Sequence, residues 1–166
     1  MASLTLQLLN RPDWRGLLAG AAFPLLGAMM IYAAMLATGV GLKSPAFYPL
    51  PFEPTGRLSA AIWIGLFSFY GITRWMALRH GERAKTPVRL VEALMLWAVV
   101  YTFIAGSLNE FWFDVLNVVS LCFGLYVAFR LAQLSRFVAV WLAPTFFWKV
   151  FAVAISLGPV IGISFF

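Results

Sequence analysis

The stretch WLAPTFFWKVFAVAIS, residues 141–156, is the most strongly patterned part of the chain. Pro144, Trp148 and Phe151 recur at steps of four and three, so at about 100° per residue they share one face of a helix. Lys149 is the only charged residue of the stretch, and it lies roughly 16 Å inside the apolar run. An ammonium group at that depth needs a polar partner or water. The stretch therefore predicts an aromatic, apolar helix with a single buried charge.

The whole chain has the composition of a membrane protein. Of its 166 residues 63% are apolar and 11% are charged, against about 45–50% and 25% in soluble domains. About 20 residues cross a hydrocarbon core of about 30 Å, and charge-poor stretches of that length recur five times. The sequence predicts an all-α polytopic membrane protein, with residues 1–166 forming a single five-transmembrane-helix bundle. The predicted spans are residues 17–39, 58–78, 90–108, 113–131 and 137–163.

Several classes of function lack their signature in this sequence. Lys and Arg total 12 against 6 for Asp and Glu. In a membrane chain we attribute this basic surplus to the orientation of the chain in the membrane rather than to nucleic-acid binding. Cys122 is the only cysteine, which excludes an intramolecular disulfide and a zinc cluster of cysteines. His80 is the only histidine, and no G-x-S-x-G, H-E-x-x-H or Gly-rich phosphate motif occurs. The sequence predicts a protein that is not an enzyme and has no catalytic residue, metal site or nucleic-acid partner.

Basic residues are distributed unequally between the two ends of the predicted spans. The amino-terminal segment, the second loop and the fourth loop carry nine of them: Arg11, Arg15, Arg74, Arg79, Arg83, Lys85, Arg89, Arg130 and Arg136. The opposite end carries Lys43 and Arg57, both in the proline-rich first loop. Because basic loops stay in the cytoplasm, we expect the amino terminus inside, the carboxyl terminus outside and residence in a bacterial inner membrane. The first ten residues lack the pattern of a signal peptide, so we expect the mature chain to begin near Met1.

Two aromatic motifs fall within the second and fifth predicted spans. In the second span the pattern W-x-x-L-F-x-x-x-G is formed by Trp63, Leu66, Phe67 and Gly71. In the fifth span the pattern P-T-x-x-W-x-x-F-A is formed by Pro144, Thr145, Trp148, Phe151 and Ala152. The first loop adds a proline-rich segment that contains Ser44, Pro45, Phe47 and Pro49. In these motifs the chain resembles the TspO/MBR family, the tryptophan-rich sensory and translocator proteins, which are five-helix membrane proteins of about this length.

The resemblance implies a binding protein. Members of that family bind tetrapyrroles, such as porphyrin and haem, and sterol-like lipids in a pocket between the helices beneath the first loop. An aromatic-lined, water-poor cleft suits such ligands. Carried over onto this sequence, the pocket residues are Phe47, Trp63, Phe67, Trp148 and Phe151. No cofactor is expected beyond such a bound tetrapyrrole or lipid.

Three further aromatic residues and the buried lysine join this expectation. The aromatics are included because their positions in the third and fifth spans suit the same pocket: Trp97, Tyr101 and Trp141. Lys149 is expected to point into the bundle or a partner-protein interface, toward carbonyls, a hydroxyl such as that of Ser120 or Thr102, a ligand carboxylate, or water. The alternative for Lys149 is a side chain that extends along lipid to the inner surface.

A second function is open on the same sequence. Phe67 stands where the resembled family usually has tyrosine, and Ser156 stands where it usually has asparagine, so polar groups used around the ligand are missing. Bulky aromatics also occur on the outer helices: Phe123, Tyr126, Phe129, Phe165 and Phe166. These features fit a non-catalytic accessory or assembly subunit of a larger membrane complex, either pigment-bearing or respiratory. The expected partners are the lipid bilayer and a hydrophobic small molecule, with either a second copy of the chain or a larger complex.

Overall fold

A computed structural model of the chain describes residues 7–39 and 56–157. Every regular element within these residues is helical. The four long helices are α1 (Trp14–Thr38), α2 (Gly56–Leu78), α3 (Lys85–Ala105) and α4 (Glu110–Leu134). Two shorter helices follow, α5 (Arg136–Val140) and α6 (Ala143–Leu157), and a 3₁₀ turn over Gly81–Ala84 joins α2 to α3.

Four helical segments are long and apolar enough to cross a membrane: Trp14–Thr38, Arg57–Leu78, Gly81–Ala105 and Glu110–Leu134. A segment of 25 residues, such as the first, extends about 38 Å at about 1.5 Å per residue, which exceeds a hydrocarbon core of about 30 Å. The chain is therefore an all-α, multi-pass membrane protein, as the composition predicts. Helix α6 is apolar but has 15 residues, and the predicted fifth span, 137–163, extends beyond the described residues.

Helix α1 has a defined cap at each end. The side chain of Asp13 accepts a hydrogen bond from the Gly16 backbone N–H at 3.0 Å, which satisfies one of the free donors of the first turn. Gly39 ends the helix at a φ of 70°, in the left-handed region that glycine adopts without a steric penalty. Its N–H donates to the Met35 carbonyl at 2.8 Å. These caps bracket 25 residues that contain one helix-interior proline, Pro24.

Helices α1 and α2 pack backbone against backbone. A Cβ atom built on Gly71 would lie 1.8 Å from the Gly20 carbonyl oxygen, and one built on Gly20 would lie 3.4 Å from the Gly71 carbonyl oxygen. Small residues allow such close approach, which is a main source of helix association in membranes. At Gly27, by contrast, an added Cβ would meet no atom within 4 Å. The close contact is therefore local to the Gly20 and Gly71 level.

The residues preceding α1 are tied to the end of α2. The Trp75 indole N–H donates to the Arg11 carbonyl at 2.8 Å, and the Arg79 guanidinium donates to the Asn10 carbonyl at 3.0 Å. Arg74 forms an ion pair with Glu92 of α3 at 2.6 Å. Basic residues of the amino-terminal segment and of the second loop therefore lie at one end of the bundle.

Helices α3 and α4 form an antiparallel pair, as the short connection between the third and fourth spans predicts. Asn109 begins α4 as its N-cap, and its side-chain oxygen accepts from the Trp112 backbone N–H at 3.1 Å. Helix α3 begins at Lys85, five residues before the predicted span start at residue 90.

One buried apolar cluster runs through the bundle, and its members come from α1 to α5 and the adjoining turns: Ala28, Phe67, Tyr70, Ala77, Ala84, Val88, Val91, Leu94, Ala98, Val127, Leu131, Val138 and Leu142. Other large apolar side chains point outward, such as Phe129 and Phe147. An outward apolar surface is what contact with lipid requires.

The continuous helix predicted from residue 137 is wrong. Helix α5 ends at Val140, Trp141 and Leu142 form a turn, and α6 begins at Ala143. The reason is Pro144, which has no backbone N–H to donate to the Val140 carbonyl four residues earlier and whose ring crowds that carbonyl, but which fits the first turn of a new helix. Trp141 therefore lies outside the helix that carries Trp148, and α6 packs mainly on α4 and less extensively on α2.

Candidate ligand-binding cavity

A partly open cavity lies among α2, α3, α4 and α6. Its volume is about 60 Å³, several times the about 10–15 Å³ that one water molecule requires. The lining is aromatic and apolar with a few polar groups: Trp63, Leu66, Phe67, Tyr70, Ala98, Tyr101, Asn117, Ser120, Thr145, Trp148, Lys149 and Ala152.

Helix α2 supplies an aromatic wall. Trp63, Phe67 and Tyr70 recur at steps of four and three, which places them on one face of the helix. The rings of Trp63 and Phe67 meet edge to face at 4.8 Å, and those of Phe67 and Tyr70 at 5.7 Å. Edge-to-face pairs add about 0.5–1.5 kcal/mol beyond area burial. The wall is therefore a rigid surface against which a flat apolar ligand can pack.

Helix α4 supplies polar groups to the same cavity. Asn117 and Ser120 are 4% and 3% exposed, although both are polar residues in an apolar helix. The Tyr101 hydroxyl donates to Asn117 Oδ1 at 2.6 Å, and the Trp97 indole N–H donates to Ser120 Oγ at 2.8 Å. Within the part of the chain that the structure describes, Asn117 Nδ2 has no hydrogen-bond partner. An unpaired buried amide donor costs about 1–3 kcal/mol, so this group marks a place where a ligand or water atom is needed.

Helix α6 begins beside the aromatic wall. The Thr145 hydroxyl donates to the Leu142 carbonyl at 2.7 Å. The Thr145 hydroxyl is therefore satisfied within its own segment, and Tyr70 and Thr145 both line the cavity.

Lys149 lies against α4. A Cβ atom built on Gly124 would be 3.4 Å from Lys149 Cδ and 3.8 Å from its Cε, so the aliphatic stem crosses α4 where that helix has no side chain. Within the described residues the structure gives Lys149 no ion pair. A lysine at the centre of a membrane helix costs about 2.5–3.5 kcal/mol on insertion scales. The position of Lys149 at the cavity, instead of along the lipid-facing surface, offers a route to offset that cost.

Few groups near the cavity can serve as hydrogen-bond or ion-pair partners of Lys149. The described lining residues include no carboxylate. Thr102 donates to the Ala98 carbonyl of its own helix at 2.9 Å and does not line the cavity, whereas Ser120 does. Of the two hydroxyls considered from the sequence, Ser120 is the one that shares the cavity with Lys149.

The structure brings most of the predicted pocket residues together. Five of them line the cavity: Trp63, Phe67, Tyr101, Trp148 and Lys149. Trp97 lies behind the lining, where it hydrogen-bonds Ser120. Phe151 is not a lining residue, and its ring packs on Trp148 at 5.6 Å. Phe47 lies outside the described residues.

Several lining residues were not predicted as pocket residues: Leu66, Tyr70, Ala98, Asn117, Thr145 and Ala152. Asn117 is the most informative of them. A signal for it exists, since it is a lone amide within a long apolar span. Asparagine there needs a partner inside the bundle. The sequence does not tell which face of α4 is turned inward, because apolar residues surround the helix on all sides.

The aromatics expected on an accessory subunit are divided between core and surface. Phe129 and Tyr126 are exposed, while Phe123 packs against the buried cluster. Phe165 and Phe166 lie outside the described residues. Tyr126 also accepts a hydrogen bond from Arg130 at 3.0 Å. Exposed aromatics on a membrane helix serve lipid contact as well as protein contact.

A second depression of about 220 Å³ lies among α1, α2 and α3 at the end that carries the Arg74–Glu92 ion pair. It is apolar elsewhere, with Phe23, Pro24 and Met95 in its lining. Since Arg74 and Glu92 satisfy each other, this depression has no unpaired charge among its described lining residues. The smaller cavity, with Lys149 and the free Asn117 donor, is therefore the candidate site.

Within the described residues, no group of three or more His, Cys, Asp and Glu side chains is placed to hold a metal ion. Scans of protein-family models, curated proteins and solved structures found no match to this chain.

Proposed function

We propose that this protein is an integral membrane, TspO-like binding protein that holds a hydrophobic small molecule in the cavity among α2, α3, α4 and α6. The observation that carries the proposal is the combination of an aromatic wall with unpaired hydrogen-bond donors in an otherwise apolar bundle. The resemblance to the TspO/MBR family supplies the two ligand classes, a tetrapyrrole and a sterol-like lipid.

The aromatic wall supports an apolar, flat ligand. Burial of apolar area contributes about 25 cal/mol per Å², and a ring that stacks on Trp63 or Trp148 gains a further contribution from aromatic contact. The described lining contains no histidine, cysteine or carboxylate. General acid–base and thiol chemistry use those groups, so the proposal is binding without catalysis.

The size of the cavity limits how much of the ligand it encloses. Its volume of about 60 Å³ is well below the about 300–1,000 Å³ of pockets that enclose whole small molecules. One end of the ligand fits inside, and the remaining body must lie in the open side of the cavity against Trp63 and Trp148. A tetrapyrrole edge or the head of a sterol-like lipid meets this requirement.

We propose that α6 is the fifth membrane span and that the amino terminus is cytoplasmic. The distribution of basic residues, nine against two, supports this orientation. So does the position of the amino-terminal segment, which is hydrogen-bonded to the end of α2 beside the second loop. With five crossings the proline-rich first loop and the carboxyl terminus are on the outer side.

Tryptophan fluorescence tests the binding function. The purified protein in lipid nanodiscs is titrated with a porphyrin and separately with a sterol, and saturable quenching is expected for the bound class. Trp148→Ala should weaken binding by at least about tenfold, because a buried, stacked ring contributes about 2–4 kcal/mol. The matched control is Trp112→Ala, since Trp112 is exposed and lies outside the cavity.

Two results would contradict the binding function. One is linear, non-saturable quenching by both ligand classes. The other is an unchanged affinity in both Trp63→Ala and Trp148→Ala. Purification from the native membrane in mild detergent adds a separate test: a stable larger complex would favour the accessory-subunit function, and a self-contained protein with a co-purifying ligand would favour binding.

A further inference from the structure

We infer that the polar end of the cavity, formed by Asn117 and Lys149, receives the carboxylate of an amphipathic acid. This inference rests on the proposed binding function and names the chemical class of its ligand. It follows from the kind of polar groups present, from their lack of partners among the described residues and from the size of the cavity.

Asn117 contributes a donor in a fixed orientation. Its Oδ1 is engaged by the Tyr101 hydroxyl at 2.6 Å, and its Nδ2 has no partner. The side chain is 4% exposed and lines the cavity, so the free N–H groups face a space that solvent outside the bundle does not reach directly. A ligand atom that satisfies them must be a hydrogen-bond acceptor.

Lys149 contributes a positive charge and further donors to the same space. Its stem is held against the backbone of α4 at Gly124, which directs it into the bundle. An ammonium group has three donors and no acceptor. Both unpaired groups of the cavity therefore require acceptors, and one of them also requires negative charge.

The described acidic residues do not provide that charge. Asp13 caps α1, Glu82 pairs with Lys85, and Glu92 pairs with Arg74. Glu110 and Asp114 lie in the first two turns of α4. None of these carboxylates lines the cavity. Among the described residues Lys149 has no ion pair, and we assign its counter-charge to a bound molecule.

The cavity suits a small planar anion on an apolar body. Its volume of about 60 Å³ accepts a carboxylate, whose two oxygens provide the acceptors that Asn117 Nδ2 and Lys149 Nζ require. The apolar body then packs on the α2 aromatic wall. A neutral hydroxyl, as on a sterol, would satisfy Asn117 but would leave the lysine charge without a counter-charge.

The test compares acids with their neutral methyl esters on the full chain. Wild-type protein in phosphatidylcholine nanodiscs is titrated with protoporphyrin IX and its dimethyl ester, and separately with palmitate and methyl palmitate. We expect each acid that binds to do so at least tenfold more tightly than its ester. If only protoporphyrin IX binds more tightly than its ester, the ligand is a tetrapyrrole acid. If only palmitate binds more tightly than its ester, the ligand is a fatty acid.

Substitutions assign the preference to the two residues. Lys149→Met keeps the apolar stem and removes the charge, so it should abolish the preference for the acid while the ester still binds. Asn117→Leu should reduce the preference. Lys85→Met is the matched control: it removes a lysine charge at an exposed loop position and should leave the preference unchanged. Far-ultraviolet circular dichroism verifies that each variant is helical.

The outcomes separate this inference from the proposed function. Equal affinity of acid and ester for the wild-type protein would overturn the carboxylate site and leave the binding function standing, and this comparison needs no variant. A preference that persists in Lys149→Met and in Asn117→Leu would overturn the assignment to these residues. If neither member of either pair binds, the inference fails, and the binding function fails with it only if the sterol of the fluorescence test does not bind either.

Discussion

The contact between α1 and α2 predicts that one methyl group added at Gly71 lowers the stability of the protein substantially. A Cβ at position 71 would lie 1.8 Å from the Gly20 carbonyl oxygen and 2.9 Å from Pro24 Cγ. Close carbon-to-oxygen contacts between helices occur at about 3.3–3.6 Å. In Gly71→Ala the two helices must therefore separate by about 1.5 Å at this level, and the backbone atoms involved cannot rotate away as a flexible side chain would.

The expected cost follows from two opposing effects. Overpacking of a well-packed contact costs about 1–3 kcal/mol, and a backbone-to-backbone clash belongs at the upper end of that range. Alanine is favoured over glycine in a helix interior by about 1 kcal/mol. The net loss expected for Gly71→Ala is therefore about 2 kcal/mol of unfolding free energy.

The measurement is reversible unfolding in mixed micelles, with helicity followed by circular dichroism as the denaturing detergent is increased. Gly65→Ala is the matched control on the same helix, because a Cβ there meets no atom within 4 Å. It should be neutral or more stable than the wild type by up to about 1 kcal/mol. Stabilities of the two variants within about 0.5 kcal/mol of each other would refute the close contact.

Two further predictions concern topology and the start of α4. In a Cys122→Ala background, a membrane-impermeant thiol reagent applied from outside should label a cysteine placed within residues 44–56 and should not label Arg83→Cys; the reverse pattern would contradict the orientation. Asn109→Ala should lower the unfolding free energy by about 1 kcal/mol, since it removes the acceptor for the Trp112 N–H, while Asn109→Asp should retain most of the stability. An alanine variant as stable as the wild type would show that this cap is dispensable.

The long spans were predictable because apolar length is a direct requirement of the bilayer. Their ends were less so, because the first turns of a helix reach into the polar interface. Lys85 and Thr86 are polar and precede Pro87, yet they belong to α3, since proline is tolerated in a first turn. Hydropathy alone places the start of that span at residue 90. Pro144 is visible in the sequence, but its spacing from Trp148 and Phe151 predicts a helix that continues through it instead of one that begins beside it.

The candidate site was partly predictable for a related reason. Spacing on one helix brings Trp63 and Phe67 to one face, and that face does line the cavity. Which residues meet across helices depends on the rotation of each helix about its axis. Spacing within a helix contains no information on that rotation when the helix is apolar all round, as α4 is. Asn117 is therefore not predictable from spacing. Phe151, which the family resemblance places in the pocket, packs on Trp148 instead of lining the cavity.

The surface of α4 at Gly124, where the Lys149 stem packs, has a consequence for how the chain enters the membrane during synthesis. Helix α4 precedes α6 along the chain, so it emerges from the ribosome first. When α6 follows, with Lys149 reducing its preference for lipid, a partner surface on α4 is already available. In the five-span topology that we propose, insertion of the short helix α6 is therefore assisted by a helix that has arrived before it. In that topology a bulky side chain at position 124 would act on biogenesis, leaving α6 outside the bilayer, before it acted on any ligand.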